Sequence, residues 1–375
     1  MDELKEAIRR AAASGCQALQ DLYIRTIFVD SFGHAESSAE GAGMGVWLYQ
    51  ELKRQELQKS VPRLELFEDC DFTGWQIGLQ KAAAQNLARQ LSETPGNLLT
   101  PIAFAQSAIE FLGKAGVTLE IRSKDWAKLM GFNAFLAAAK GSCEPPVFLE
   151  AVYYGCEADV APIVLIGKGV TFDSGGLVRK DYQEMLHMRG DMAGAACVVA
   201  TCRASLPGPC AMKPGDIVRA KNGKSILVES ADFDGRMGLA DAFCYATNYN
   251  PKVVVSVGTM REEMRQTLGI EAAGVFANND VLYEQMRIAS IHTGDRVWRL
   301  PLWQHYTEMA AFLREFLPPS DWLHMDIYAV NMTEGDTASY LRKGMTGRPT
   351  RTLIEFLAQF ACKSDAQDSS PPPAS

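Results

Sequence analysis

Three short segments set acidic side chains among glycines, where a solvated surface would show scattered lysine and glutamate instead. The first is Gly167-Lys168-Gly169-Val170-Thr171-Phe172-Asp173-Ser174-Gly175-Gly176, with Lys180 just beyond it. The second is Met188-Arg189-Gly190-Asp191-Met192-Ala193-Gly194-Ala195-Ala196, and the third is Ser230-Ala231-Asp232-Phe233-Asp234-Gly235-Arg236. Carboxylates brought to one locus cannot all stay ionised unless a cation compensates them. Asp173, Asp191, Asp232 and Asp234 together carry the charge that neutralises two divalent ions, and paired ions can activate water and polarise a carbonyl together. Lys168 suits such a site, because an ammonium beside a dication is pushed towards the neutral, coordinating amine. Asp232 and Asp234 stand two apart, which in an extended segment places both on one face.

The same residues have plainer readings. Asp191 and Asp232 each precede a helical run by a few residues, so spacing alone makes each as good a helix cap as a ligand. Gly175-Gly176 reads as a turn, and Gly167-Lys168-Gly169 lacks the length and the Ser/Thr ending of a phosphate loop. Arg189 and Arg236 read as ion-pair residues, although Arg236, beside two acidic candidates, is also placed to anchor an anion. The histidines at 34, 187, 292, 305 and 324 form no ligand pair, which speaks against a histidine-ligated zinc enzyme. No GxSxG occurs and no cysteine sits in a nucleophile motif, so covalent hydrolysis is demoted.

The elements that must position these residues follow from periodicity. Helical spacing is predicted for Met1 to Gln20, Ala39 to Leu52, Trp75 to Leu91 and Ala103 to Ala115. Strands are predicted at Leu22 to Val29, Arg63 to Phe67, Thr118 to Ile121, Val147 to Tyr154 and Pro162 to Ile166. From Thr100 onward helices and strands alternate, which predicts an α/β fold with a mixed, largely parallel sheet flanked by helices. The apolar run Ile163-Val164-Leu165-Ile166 has the profile of a strand buried on both faces, and ligands gather beyond the carboxyl ends of such strands. Residues 1–70 then form a small αβ domain with too few strands to stand alone. Residues 71–94 are read as a connecting helix, 95–362 as the α/β domain that carries the three acidic segments, and 363–375 as a disordered tail.

Composition narrows the function classes. With 375 residues, 47% of them hydrophobic and 22% charged, the chain has the composition of a globular protein. The balance of 37 basic against 45 acidic side chains, a formal −8, disfavours a nucleic-acid surface. No apolar run reaches membrane length, the start is no secretory signal, and nine cysteines without a CxxC pair fit a reduced, cytoplasmic protein.

The combination GKGVTFDSGG at 167–176, MRGDMAGAA at 188–196, KPGDIVRAKNGK at 213–224 and SADFDGR at 230–236 closely resembles the leucyl aminopeptidase family, metallopeptidase family M17. The likeness continues through QNLARQLSETPGNLLTP at 85–101, TGDRVWRLPL at 293–302 and YLRKGMTGRPTRTLIEFL at 340–357, so it spans Gln85 to Phe360 and is nearest the animal members. The resemblance implies that Lys168, Asp173, Asp191, Asp232 and Asp234 ligate two divalent ions, zinc, manganese or magnesium. It makes Lys180 and Arg236 the catalytic pair, Lys180 steadying the oxyanion and Arg236 holding a bicarbonate that shuttles the proton. It also implies peptide substrates, a homohexamer with the catalytic domains inward, and a first domain here shortened at its start.

The chain departs from the family pattern in places that matter. Asp234 stands where the family's NTDAEGR motif has glutamate, one methylene longer. A short linker, Ala204 to Cys210, replaces a strand and a loop, and a second segment is missing after Tyr306-Thr307-Glu308-Met309. Gly258-Thr259-Met260-Arg261-Glu262 and Asp326-Ile327-Tyr328-Ala329-Val330-Asn331 replace small-residue stretches that line the pocket for the substrate's first side chain. Two readings follow: a metal-dependent aminopeptidase of reduced activity without leucine preference, or a catalytically impaired structural or assembly subunit of the same ancestry.

Overall fold

The computed structural model describes residues 2–157, 159–198, 202–303, 308–335 and 340–368. Its centre is a five-stranded sheet in the order Arg296–Arg299, Ala272–Ala277, Asp321–Asp326, Val253–Gly258, Ile163–Gly167. All neighbours run parallel except Ala272–Ala277 against Asp321–Asp326, so the predicted mixed, largely parallel α/β sheet is the one observed. Every residue of Val253–Gly258 is buried, as expected of a β-branched strand covered on both faces. Ile163–Gly167 is instead the edge strand of this sheet among the described residues, and its first three residues are only half-buried. The apolar run therefore marks a strand at the sheet's edge, and the fully covered strand lies one position further in.

Helix boundaries follow local chemistry. Asp71 caps the long helix Phe72–Glu93 by accepting from Gly74 N at 2.9 Å, and Thr100 with Pro101 opens Pro101–Gly113. Asn279 caps Asp280–Thr293, which Gly294 closes in a left-handed conformation. The helix predicted over 39–52 runs over Ala35–Gly45 instead, because His34 caps it earlier by accepting from Ser37 N. Thr350–Asp368 continues six residues into the segment expected to be disordered, since no glycine or proline interrupts it before Pro371. The rest of that segment, like His305, Tyr306 and Thr307, lies outside the described residues.

The amino-terminal unit has two helices, Asp2–Asp21 and Ala35–Gly45, and a parallel pair of strands, Thr26–Asp30 with Arg63–Phe67. It packs on the part that carries the five-stranded sheet through a buried ionic network. Glu40, 1% exposed, accepts from Arg9 at 2.5 Å and from Arg351 at 2.7 Å. Arg351 also reaches Gln85 Oε1 at 2.6 Å, the Tyr340 hydroxyl at 2.6 Å and Asp295 at 3.3 Å. Removing one member of a buried charge group strands the others. Glu40→Ala leaves two buried guanidinium groups without their shared carboxylate, so it is expected to cost about 3 kcal/mol of stability. Urea unfolding at constant m-value measures this, and a loss below about 1 kcal/mol would show that the network does not brace the two parts.

Candidate metal centre

Three parallel strands end side by side, and the candidate residues begin where they stop. Lys168 follows Ile163–Gly167, Thr259 follows Val253–Gly258, and Asp326 ends Asp321–Asp326. This is the crevice at the carboxyl edge where open α/β sheets hold ligands. Helix Ala193–Val198 can lie directly on the sheet because it starts in small residues: a Cβ on Gly194 would meet Val257 O at 2.4 Å. That close seat brings Asp191, in the turn just before the helix, over the strand ends.

Lys168 and Asp191 form the middle of the site. Lys168 Nζ lies 2.6 Å from Asp191 Oδ1 and donates to Thr259 O at 2.6 Å, while Thr259 Oγ1 donates to the same carboxylate oxygen. The lysine stem passes through a slot between two glycines. A Cβ on Gly235 would meet Lys168 Cε at 2.3 Å, and one on Gly258 would meet Lys168 Cβ at 2.9 Å. Gly175 and Gly176, both at positive φ, turn the chain so that Lys180 N donates back to Ser174 O at 3.0 Å. Lys180 Nζ thereby sits 2.6 Å from Asp232 Oδ1, 3.7 Å from Asp173 Oδ2 and 3.6 Å from Glu184 Oε1.

Asp191 and Asp232 are thus ion-pair acceptors, and neither caps a helix; Ser230 is the cap in front of Asp232. Asp232 and Asp234 do not share the extended segment that their spacing predicts. Ala231–Phe233 is a 3₁₀ turn and Asp234 opens helix Asp234–Ala246, so the two carboxylates are brought in by a helix start. Arg236 stands on that helix, buried, and lines a separate cavity of about 560 Å³ with Met237, Phe312 and Phe316. The structure therefore pairs Lys168 with Asp191, and Lys180 with Asp173 and Asp232; the two sets act on each other through their charges, and Arg236 lines the other cavity.

Electrostatics explains what the grouping lacks. Asp173, Asp191 and Asp234 are 3%, 4% and 1% exposed. Burial, and next the charge of Asp234, pushes the Asp173 carboxyl up to about 6; burial pushes Asp191 to about 6 against the pull of Lys168. Lys180 is held above its ordinary range because the attraction of Asp173 and Asp232 outweighs its own burial. Asp191 Oδ2 is buried with no hydrogen-bond partner. Carboxylates that resist ionising, one with an orphaned oxygen, are a donor set short of cationic charge, and hard oxygen ligands suit magnesium, manganese or zinc. The residues fit a divalent ion, although among the described residues no three His, Cys, Asp or Glu side chains converge as a ready cage. The ammonium groups of Lys168 and Lys180 stand between the carboxylates and do part of the compensation.

Sequence reasoning missed the part Thr259 plays in holding Asp191, since 68 residues separate them and no spacing rule joins them. It also missed Glu184, whose only signal is its place four residues after Lys180. A cleft of about 310 Å³ opens beside Asp191 and Thr259, lined also by Glu262, Tyr328 and Asn331 as expected, while Arg261 is not on its wall.

The sequence profile described as "Cytosol aminopeptidase family, catalytic domain" matches residues 86–206, 205–310 and 307–354. The match breaks at the two places where segments were expected to be missing. The cytosol aminopeptidase of Homo sapiens is 44% identical over 403 residues, covering 96% of this chain and 77% of that protein. That of Dictyostelium discoideum is 34% identical over 412 residues, covering 94% and 78%. Both aligned stretches exceed the 375 residues of this chain, which requires internal gaps. Among solved structures, the bottromycin maturation enzyme BotP superposes with a TM-score of 0.87 at 28% identity, covering 95% of this chain and 87% of that one. The same enzyme in complex with Mn gives 0.85 at 27% identity, covering 95% and 88%.

The glycine slot makes a separable prediction. Gly235→Ala places a methyl group against the Lys168 stem and is expected to lower manganese affinity at least about tenfold, the usual range for a lost supporting contact at a metal site. Calorimetric titration against Gly15→Ala, where a Cβ meets nothing within 4 Å, checks it; equal affinities would dismiss the slot.

Proposed function

The chain belongs to the cytosol aminopeptidase family, metallopeptidase family M17, and on that footing we propose that it releases amino-terminal residues from peptides by metal-assisted hydrolysis. The observation that carries the reading is the two lysine–carboxylate pairs beyond the carboxyl ends of the strands, Lys168 with Asp191 and Lys180 with Asp173, with Asp191 also lining a cleft.

Lys168, Asp173, Asp191, Asp232 and Asp234 would hold two divalent ions, zinc, manganese or magnesium, which supply Lewis-acid polarisation and a nucleophile at neutral pH. Thr259 fixes Asp191 from one side and Lys168 from the other, which keeps the donors in place before any ligand arrives. Lys180 presents a protonated ammonium at the mouth of the acidic group, where it would steady the negative charge that develops on a substrate carbonyl oxygen. Arg236, a buried guanidinium on a cavity wall, would hold a bicarbonate as proton shuttle. The cleft beside Asp191 and Thr259 would receive the first side chain, and with the polar Tyr328 and Glu262 on its wall no leucine preference is carried over. We place the protein in the cytosol, with peptides as substrates, in an oligomer larger than a dimer and most simply the family's hexamer; light scattering that gives a monomer mass at micromolar concentration would overturn the assembly.

Reduced activity is part of the proposal. Asp234 is one methylene shorter than the family's glutamate, and misplacing a catalytic group by about 1 Å costs on the order of a hundredfold. Amino-acyl amides should be hydrolysed detectably but well below a full-length relative, with Lys180→Ala abolishing most of it. Two ions should bind per chain by calorimetry, one weakly, and Asp234→Glu should tighten the weak site. Zero activity with excess manganese, in wild type and in Asp234→Glu alike, would replace this reading with that of a structural subunit derived from the family.

A further inference from the structure

The cleft beside Asp191 has an uneven charge. Its inner wall is apolar, with Met188 and Met345 both buried. Its outer wall carries Glu184, Glu262 and Glu334. Two of these are compensated: Glu184 lies 3.6 Å from Lys180, and Glu334 lies 2.7 Å from Lys343. Glu262 has no ion-pair partner among the described residues, and it follows Thr259 on the loop that also holds Asp191 in place. Tyr328 OH donates to Glu184 Oε1 at 3.3 Å, and the phenol is held above its ordinary range by burial and by the carboxylates of Glu184 and Glu262. Arg265 is the one lysine or arginine on this wall. Asp191, whose Oδ2 is buried without a hydrogen-bond partner, lines the same space, so on the proposed function the cleft adjoins the donors that would hold the metal ions.

We propose that this cleft selects a substrate whose amino-terminal residue has a long cationic side chain, of the lysine or arginine type. The proposal rests on the aminopeptidase reading and names its substrate class. An alkyl stem lies against the two methionines while its charged end reaches the carboxylates, the division that lysine and arginine side chains make wherever apolar and polar surfaces meet. Glu262 supplies a charge-assisted hydrogen bond that a neutral chain of equal length cannot use. Leucine or norleucine would fill the apolar part and leave Glu262 without a ligand charge, so discrimination comes from the one charge-assisted hydrogen bond that only the cationic chain makes.

The test uses the full chain loaded with manganese and a panel of lysyl, arginyl, norleucyl, leucyl and glutamyl anilides. The expected result is a kcat/KM for lysyl and arginyl substrates about tenfold above norleucyl, the factor one charge-assisted hydrogen bond supplies. Glu262→Gln should lower the lysyl to norleucyl ratio about fivefold. A norleucyl or leucyl preference, or a ratio that Glu262→Gln does not move, overturns the selection while leaving the aminopeptidase reading intact. If no substrate is hydrolysed, that reading fails, and calorimetric binding of L-lysinamide against L-norleucinamide decides the cleft: tighter lysinamide binding that Glu262→Gln removes supports the selection, and equal binding overturns it.

Discussion

Several carboxylates gathered where parallel strands end cannot share a dry space without positive charge, and most of the catalytic part is arranged around that constraint. Asp173, Asp191 and Asp234 are buried, and so is Asp326 at the next strand end, whose carboxyl burial pushes up to about 6. Lys168 and Lys180 are the protein's own answer, one in the middle of the group and one at its mouth. Each lysine needs a backbone that steps aside. Lys168 needs glycine at 235 and 258, and Lys180 needs the positive-φ pair at 175 and 176. Glycines that punctuate the motifs are therefore spacers for cations, and the small-residue helix at Ala193–Val198 is what lets Asp191 come close enough to need one.

The amino-terminal unit is coupled to this centre through one helix. Phe72–Glu93 meets the first helices on one side and the carboxy-terminal stretch on the other, where Gln85 donates to Thr346 O at 2.7 Å and Arg89 donates to Met345 O at 3.2 Å. Glu93 accepts from Met345 N at 2.6 Å and pairs with Arg189, next in sequence to the cleft residue Met188, at 2.8 Å. Met345 is part of the cleft wall. The Glu40 network fixes the same helix and the same stretch from behind, through Gln85 and Arg351. Packing in a dense interior transmits small shifts, so the position of the cleft floor depends on the amino-terminal unit as well.

Much of this was legible in the sequence, for reasons that differ by residue. Lys168, Asp173, Asp191, Asp232 and Asp234 stood out because acidic and basic residues among glycines are costly anywhere but at a site. The parallel sheet was legible because helices and strands alternate after Thr100. Strand order was not. The run Ile163 to Ile166 is as apolar as Val253 to Gly258, and hydrophobicity reports covered faces without saying which neighbour covers them. Asp232 and Asp234 were given an extended segment because spacing by two suits a strand, but a 3₁₀ turn running into a helix start delivers neighbouring carboxylates as well. Thr259 and Asp191 meet only because two strand ends meet, which no local pattern encodes.

The two shortened places fall on different halves of the site. The first break in the family match, at 205–206, lies at the end of strand Cys202–Ser205, which pairs with Gly169–Asp173. Ser205 O accepts from Ser174 N at 3.1 Å and Ser174 Oγ at 2.9 Å, one residue from Asp173. The second break, at 307–310, opens helix Glu308–Arg314, whose Phe312 walls the cavity beside Arg236. Neither break touches Lys168, Asp191 or Thr259, which hang from the ends of the sheet strands. Shortening therefore bears on the loop that carries Asp173 and Lys180 and on the space in front of Arg236. The middle of the centre, and the cleft wall that carries Glu262 and Tyr328, are built from parts the shortening leaves whole. On the proposed function, binding of a ligand's first residue and completion of the chemistry would thus rest on separate pieces of this chain, and a change in one need not carry the other with it.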